Sequence, residues 1–157
     1  MGIGQTSYDL TMDLGFPGMI ADNGPCVAES FVADEAIGFG LGVVKGATTD
    51  AKTPTGESVK LPDEQTDVFR GVTRHKHLEN SYPYTEGSST YAEADIVDVV
   101  RKGKIWVQID GTCTIDGTVY VTTDGKFTST EGTNTIATGC VFRKVETDKA
   151  ILEINLP

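Results

Sequence analysis

Short runs of hydrophobic residues, many of them β-branched, recur along the chain, and turn-forming residues separate them; in residues 37–43 the hydrophobic residues alternate strictly with glycine. A side-chain period of two is typical of a strand, because successive side chains of a strand point to opposite faces. The many β-branched residues and glycines favour strands and turns over helices. Predicted strands occupy residues 26–32, 37–43, 59–61, 68–74, 96–100, 105–109, 119–121, 139–145 and 150–156. We therefore predict an all-β fold, a sandwich or barrel of jelly-roll-like type.

The C-terminal third contains two predicted hairpins. Residues 101–104 (RKGK) are predicted to form the turn between the strands at 96–100 and 105–109, because they are polar and contain a glycine. Residues 146–149 (ETDK) connect the last two strands in the same way. Residues 91–100 are predicted to begin as a turn or short helix and to continue as a strand.

Three glycines alternate strictly with large apolar residues in residues 37–43 (IGFGLGV). A strand with this sequence has one apolar face and one face without side chains. Glycine weakens a strand, so three in register indicate that another backbone segment or a partner approaches the bare face. We predict that Gly38, Gly40 and Gly42 pack against the protein's own N-terminal segment or a neighbouring subunit; a bulged or flexible edge strand is the alternative.

The first 25 residues form a different kind of segment. They contain four glycines before position 20, two prolines and no sustained hydrophobic period, which predicts an extended arm, followed by a single β domain at residues 26–157. The arm is too apolar for a solvated tail and is expected to lie on its own domain or on a neighbour. Its apolar residues are Tyr8, Leu10, Met12, Leu14, Phe16, Met19 and Ile20. Long polar loops are predicted at residues 47–66 and 75–90.

The net charge of −10 argues against nucleic acid and anionic membranes as partners, because both are bound through basic patches. No apolar run approaches the roughly 18 residues of a membrane helix, and no secretory signal is expected. Cys26, Cys113 and Cys140 are isolated and odd in number, which predicts buried free thiols rather than a zinc site or disulfides, as suits a protein made in a reducing cytosol.

The sequence offers little support for catalysis. His75 and His77 lack a third ligand at metal-binding spacing, so a solvated polar loop is predicted there. The glycines at 38–42 do not fit GxGxxG, and no GKS or GKT follows them. Acidic residues near positions 63–67 and 93–98 lack calcium-binding spacing. We predict no catalytic residues, no cofactor and no metal.

The order of features resembles that of the small head-decoration, or structural cement, proteins of tailed bacteriophages. The resemblance is carried by the N-terminal arm and four segments: IADNGPCVAESFVADEAIGFGLGVVKG, VFRGVTRHKH, DIVDVVRKGKIWVQIDGTCTIDGTVYVTTDGKFTS and ATGCVFRKVETDKAILEINLP. These segments cover most of the chain except the polar loops. They are patterns of strands and glycines rather than catalytic signatures.

The resemblance implies a non-enzymatic protein that is made in the host cytoplasm and binds the outer surface of an assembled capsid. The implied partners are the major capsid protein and further copies of the chain, as a homodimer or homotrimer. The apolar arm residues named above would contact the capsid, while the β domain would oligomerise. Many copies of a modest interface suit this role, since each adds to the stability of the particle.

Two other classes of protein stay open at this point. A carbohydrate-binding or adhesive β module on a virion or cell surface would use exposed aromatic residues, for which Trp106, Tyr82, Tyr84 and Tyr91 are available. A trimeric all-β hydrolase, such as a nucleotide pyrophosphatase, is weaker because no phosphate-binding motif accompanies the fold.

Overall fold

Twelve strands make up the regular structure of this computed structural model, which describes residues 15–49, 52–76 and 90–157. No helix occurs within those ranges, and none of their residues could therefore form a membrane-spanning helix. The strands are β1 (Val27–Ala33), β2 (Ile37–Gly38), β3 (Gly42–Lys45), β4 (Ser58–Lys60), β5 (Phe69–Thr73), β6 (Thr90–Tyr91), β7 (Ile96–Gln108), β8 (Tyr120–Val121), β9 (Phe127–Thr128), β10 (Ile136–Ala137), β11 (Val141–Val145) and β12 (Lys149–Asn155).

Five of the strands close into a barrel. Their order is β1-β4-β3-β5-β7, and β7 pairs again with β1 to close the ring. The β1–β4 pair is parallel and the other pairs of the barrel are antiparallel. Closure leaves few unpaired strand edges in the barrel itself. The prediction of an all-β sandwich or barrel is confirmed, in the form of a barrel.

The long strand β7 connects the barrel to the rest of the fold. Its first half pairs with β1 and β5, and its second half pairs with β12, which in turn pairs with β11. A three-stranded sheet of β10, β8 and β9 and a two-stranded sheet of β2 and β6 complete the structure. The β11–β12 hairpin around residues 146–149 is confirmed.

The predicted hairpin at residues 101–104 is wrong, because β7 runs through this segment without a turn. Lys104 pairs with Glu153 of β12, Gly103 pairs with Ile154, and Lys102 pairs with both Asn155 and Val27. Neighbouring strands thus hold the segment extended on both sides. Gly103 has a φ of +129°, which allows the strand to bend where the backbone of Cys26 comes close.

The continuous strand predicted at residues 37–43 is also interrupted. β2 ends at Gly38 and β3 begins at Gly42, and between them Gly40 adopts a left-handed φ of +67°. The Thr73 hydroxyl fixes this break, since it donates to the Gly38 carbonyl at 2.7 Å and accepts from the Leu41 amide at 3.1 Å. The apolar residues at 37, 39, 41 and 43 are nevertheless all buried, as the alternation predicts.

Two hydrophobic clusters fill the molecule. One cluster draws on the barrel strands β1, β3, β4 and β7, on the two-stranded sheet of β2 and β6, and on the residues between β2 and β3. Its members are Phe31, Ala33, Ile37, Phe39, Val43, Val59, Tyr91, Val97 and Val99. The other lies mainly between the second half of β7, the β11–β12 hairpin and the three-stranded sheet, and includes Ile105, Val107, Val121, Phe127, Phe142 and Leu152. Burial of these apolar side chains is the main source of stability, at ~25 cal/mol per Å².

Candidate interaction surface

The last part of the predicted arm lies along the second half of β7. The Gly18 amide donates to the Trp106 carbonyl at 2.8 Å, and the Trp106 amide donates back to the Met19 carbonyl at 2.9 Å. The Ala21 amide donates to the Lys104 carbonyl at 2.8 Å, while Ile20 forms an antiparallel bridge with Ile105. This segment thus forms a short added strand on the side of β7 opposite β12.

A tight turn at residues 16–19 begins this added strand. Pro17 and Gly18 occupy its two central positions, Gly18 has a φ of +89°, and the Met19 amide donates to the Phe16 carbonyl at 3.0 Å. Proline followed by a glycine with positive φ is the arrangement that a type II turn requires. The His75 amide donates to the Gly18 carbonyl at 2.8 Å, so the turn is held from the β5 side as well. We call these four residues the 16–19 turn.

This segment packs closely against the rest of the fold at two glycines, Gly40 and Gly15. A Cβ added at Gly40 would lie 2.7 Å from both the Gly18 nitrogen and the Pro17 Cβ, so no larger residue fits without movement of the backbone. A Cβ at Gly15 would overlap the Trp106 indole. Backbone therefore approaches backbone or aromatic ring directly at both positions.

An edge-to-face series of rings leads from the 16–19 turn into the barrel core. The Phe16 and His75 ring centroids are 4.7 Å apart, His75 and Phe39 are 5.0 Å apart, and Phe39 and Tyr91 are 5.2 Å apart. Such contacts add about 0.5–1.5 kcal/mol each beyond area burial. His75 is half-buried within this series rather than part of a solvated loop, which corrects the prediction for this residue.

Tyr91 ends the ring series in a fully buried position. Its hydroxyl donates to the Arg74 carbonyl at 2.6 Å. Burial raises the pKa of Tyr91 to about 12, and the nearby Asp98 carboxylate acts in the same direction. The neutral phenol is therefore strongly favoured in the folded protein.

The predicted capsid-contact residues divide into two groups. Phe16 and Met19, the first and last residues of the 16–19 turn, are 47% and 38% exposed. Ile20 is half-buried against the core. Tyr8, Leu10, Met12 and Leu14 lie outside the described residues. The role of the whole set in capsid contact stays a prediction.

The three predicted subunit-packing glycines meet different parts of the same chain. Gly40 receives Pro17 and Gly18, and Gly42 receives Val121 and Phe127 from the three-stranded sheet. Gly38 lies against the Leu41 side chain and pairs with Thr90. The approach of the protein's own arm to Gly40 is one of the two arrangements that the glycine pattern predicts; packing between subunits stays a prediction.

The sequence analysis did not identify His75 or Pro17 as parts of this surface. The Pro17-Gly18 dipeptide is a turn signal that points to the 16–19 turn. No sequence signal identifies His75, because its role depends on the approach of the arm to the residue that follows β5.

The thiols differ in exposure. All three are free, but Cys26 is exposed, Cys113 is half-buried and Cys140 is buried. The prediction of buried thiols is thus wrong for Cys26, which precedes β1 at the surface. Burial raises the pKa of Cys113, and it raises that of Cys140 to about 11.

Charged residues in the clefts neutralise one another. A cleft of about 480 Å³ is lined by β1, the loop at residues 54–57, Arg70 and Arg101. Arg70 lies 3.0 Å from Glu57, and Arg101 lies 3.4 Å from Glu29, so both guanidinium groups are already paired. Among the described residues no group of three potential metal ligands occurs.

Two of the four aromatic residues considered for carbohydrate binding are inside the protein. Trp106 exposes 2% of its surface and Tyr91 exposes none. Sugar-binding platforms need an accessible ring face, so neither residue can serve as one. Tyr82 and Tyr84 lie outside the described residues.

Comparison with known proteins gives a consistent family match. The family model described as "Structural cement protein (E217 gp24/Pam3 gp6)" matches residues 4–156. A chain from a solved structure titled "The capsid of Myoviridae Phage XM1" is 20% identical, covers 96% of both chains and superposes with a TM-score of 0.73. This likeness shows a shared fold. No curated protein matches the sequence.

Proposed function

This chain belongs to the family of phage structural cement proteins, and we propose that it binds the outer surface of an assembled phage head and stabilises contacts between major capsid subunits. Membership of the family makes it a non-enzymatic structural protein of a phage capsid, found in the virion. We also propose that the protein is made in the host cytoplasm before it binds the outer surface of the head.

The 16–19 turn is the observation that carries the proposal. It presents Phe16 and Met19 to solvent from a backbone that is hydrogen-bonded to β7 and to His75. Exposed apolar side chains on an already ordered backbone bind without the cost of ordering that backbone, which makes them suitable anchors for a partner. The upstream arm residues Tyr8, Leu10, Met12 and Leu14 would extend this contact across a neighbouring capsid subunit.

Many weak contacts are sufficient for such a role. A closed capsid offers many identical sites, so a modest affinity at each site adds up over the particle. Self-association as a homodimer or homotrimer would further raise the effective affinity. The net charge of −10 suits a protein that covers the outside of a soluble particle, and it disfavours nucleic acid and membranes as partners.

Binding to undecorated heads tests the proposal. Purified protein is mixed with heads that lack it, the heads are sedimented, and the bound protein is quantified; the heads are then heated and their integrity is followed by light scattering. We expect saturable co-sedimentation at micromolar protein and a higher temperature of head disruption. Heads that bind no protein would contradict the proposal, as would bound heads that break at an unchanged temperature.

A further inference from the structure

We propose that the 16–19 turn and the two basic residues beside it, Arg74 and Lys76, form a docking surface for an apolar segment that carries carboxylates on the capsid partner. We call this set the basic-apolar patch. The inference rests on the proposed function and specifies the chemistry of the partner at the contact.

The apolar half of the patch is held in place before any partner binds. Backbone hydrogen bonds of 2.8–2.9 Å join Gly18 and Met19 to Trp106 and join Gly18 to His75. Pro17 and Gly18 also lie against Gly40, where there is no space for a side chain. The backbone of the turn is therefore already ordered, and only the side chains of Phe16 and Met19 would lose freedom when a partner covers them.

Part of the Phe16 ring is already covered by His75, so a partner can reach only its remaining surface. Its ring contacts His75 edge-on, at 4.7 Å between centroids, and His75 in turn contacts the ring of Phe39. Phe16 remains 47% exposed and Met19 38% exposed, at the two ends of the same turn. An apolar side chain of the partner would cover this exposed surface.

The basic half of the patch adjoins His75 in the chain. Arg74 and Lys76 are both exposed, and neither has a carboxylate within 4.0 Å among the residues that the structure describes. Most other basic side chains are paired in this way, including Lys45, Lys60, Arg70, Arg101, Lys104, Arg143 and Lys144.

Charge complementarity decides the chemistry of the partner. In a chain with a net charge of −10, Arg74 and Lys76 lie on either side of His75 in the sequence, and neither has a carboxylate partner among the described residues. They therefore add positive charge near an apolar contact. Carboxylates on the partner would satisfy these cations and would direct its approach. A nucleic-acid-binding surface neutralises several phosphates, so two cations are too few to form one.

Charge reversal at the patch tests the electrostatic half. The double variant Arg74→Glu/Lys76→Glu is compared with Lys52→Glu/Lys102→Glu, which changes the net charge equally at two other exposed lysines. Binding to undecorated heads is measured by co-sedimentation at low and at physiological ionic strength. We expect the patch variant to lose roughly tenfold in affinity at low salt and the control to lose much less.

Substitution of the turn residues tests the apolar half. Met19→Gln and Phe16→Ser should each weaken head binding, while Ile115→Gln, at a residue that is 53% exposed elsewhere, should not. Phe16→Ser also removes the ring contact with His75, so thermal melting of each variant is recorded. Met19→Gln decides the outcome if Phe16→Ser melts below the assay temperature.

The outcomes separate this inference from the proposed function. If the unmodified protein binds heads and the patch variants bind equally well, or if the control variants weaken binding as much, the basic-apolar patch is wrong and the head-binding function stands. If the unmodified protein binds no heads, both are wrong.

Discussion

Gly40 and Gly139 have nearly the same left-handed backbone conformation but different surroundings. Their φ values are +67° and +71°, yet a Cβ at Gly40 would collide with Pro17 and Gly18, whereas a Cβ at Gly139 would meet nothing within 4 Å. Substitution of each glycine by alanine therefore separates the cost of the left-handed backbone from the cost of steric overlap with the arm.

We expect Gly40→Ala to destabilise the fold more than Gly139→Ala. The left-handed conformation should lower the free energy of unfolding of both variants by about 1–2 kcal/mol. Overpacking against the arm should lower that of Gly40→Ala by roughly 1–3 kcal/mol more. Chemical denaturation of both variants measures the difference. Equal losses of unfolding free energy would show that the arm yields without cost and that Gly40 is needed only for its conformation.

The titration of Tyr91 is expected to lower the free energy of unfolding at alkaline pH. Its folded pKa is about 12 and its ordinary value is 10.0. Between these values the unfolded chain releases the phenolic proton and the folded protein retains it, so the unfolded state is favoured as the pH rises. The contribution is fully present below pH 10.0 and is lost progressively towards pH 12, at about 1.4 kcal/mol per pH unit.

Comparison with Tyr91→Phe isolates this effect. The variant loses the hydrogen bond to the Arg74 carbonyl and is less stable at neutral pH, but it has no phenol to titrate. The difference in unfolding free energy between the two proteins should therefore shrink as the pH rises from 10.0 to 12. A difference that stays constant over this range would contradict the assignment.

At the scale of elements, residues 15–21 behave as a strand of the domain rather than as a free arm. They share backbone hydrogen bonds with Lys104 and Trp106, and Ile20 packs against the core. We therefore expect the boundary between arm and β domain, predicted at residue 25, to lie closer to Gly15. On this expectation the segment that reaches a capsid subunit would be shorter than residues 1–25.

Two deletions distinguish these segments. Removal of residues 2–14 should leave the melting temperature almost unchanged, whereas removal of residues 2–21 should cost roughly 3–6 kcal/mol, from about 1 kcal/mol per lost hydrogen bond and the exposure of apolar surface around Ile20 and Trp106. Trp106 is the single tryptophan, so its fluorescence emission should shift to the red only in the longer deletion.

A red shift in the shorter deletion would contradict this division, because it would show that residues 2–14 also shield the indole. Both proteins should retain the circular-dichroism signal of the barrel. The shorter deletion also supplies a folded control for head binding, in which only the upstream apolar arm residues are missing.

The stabilisation of heads is a property of the whole molecule and its copy number. Because each site contributes a small free energy that depends on occupancy, the gain in head stability should rise with free protein concentration and then saturate. Light scattering of heated heads over a concentration series measures this curve. A gain that appears in full at very low occupancy would point instead to a few special sites on the capsid.

The sequence by itself determined the fold class, the buried residues of the glycine segment and the final hairpin. Residues 37, 39, 41 and 43 are buried and the β11–β12 hairpin forms because side-chain period and turn chemistry are local properties. The resemblance, likewise carried by the order of strands and glycines, identified the family that the comparison shows.

Tertiary contacts decided the rest. Residues 101–104 have the composition of a turn, but pairing with β1 and β12 keeps them extended, and no local pattern reports such distant partners. Gly40 forms a break rather than the middle of a strand because Thr73 and the 16–19 turn meet there. The surface of Phe16, Met19 and His75 exists only because residues far apart in sequence pack together, which is why the sequence identified its apolar members but not its geometry.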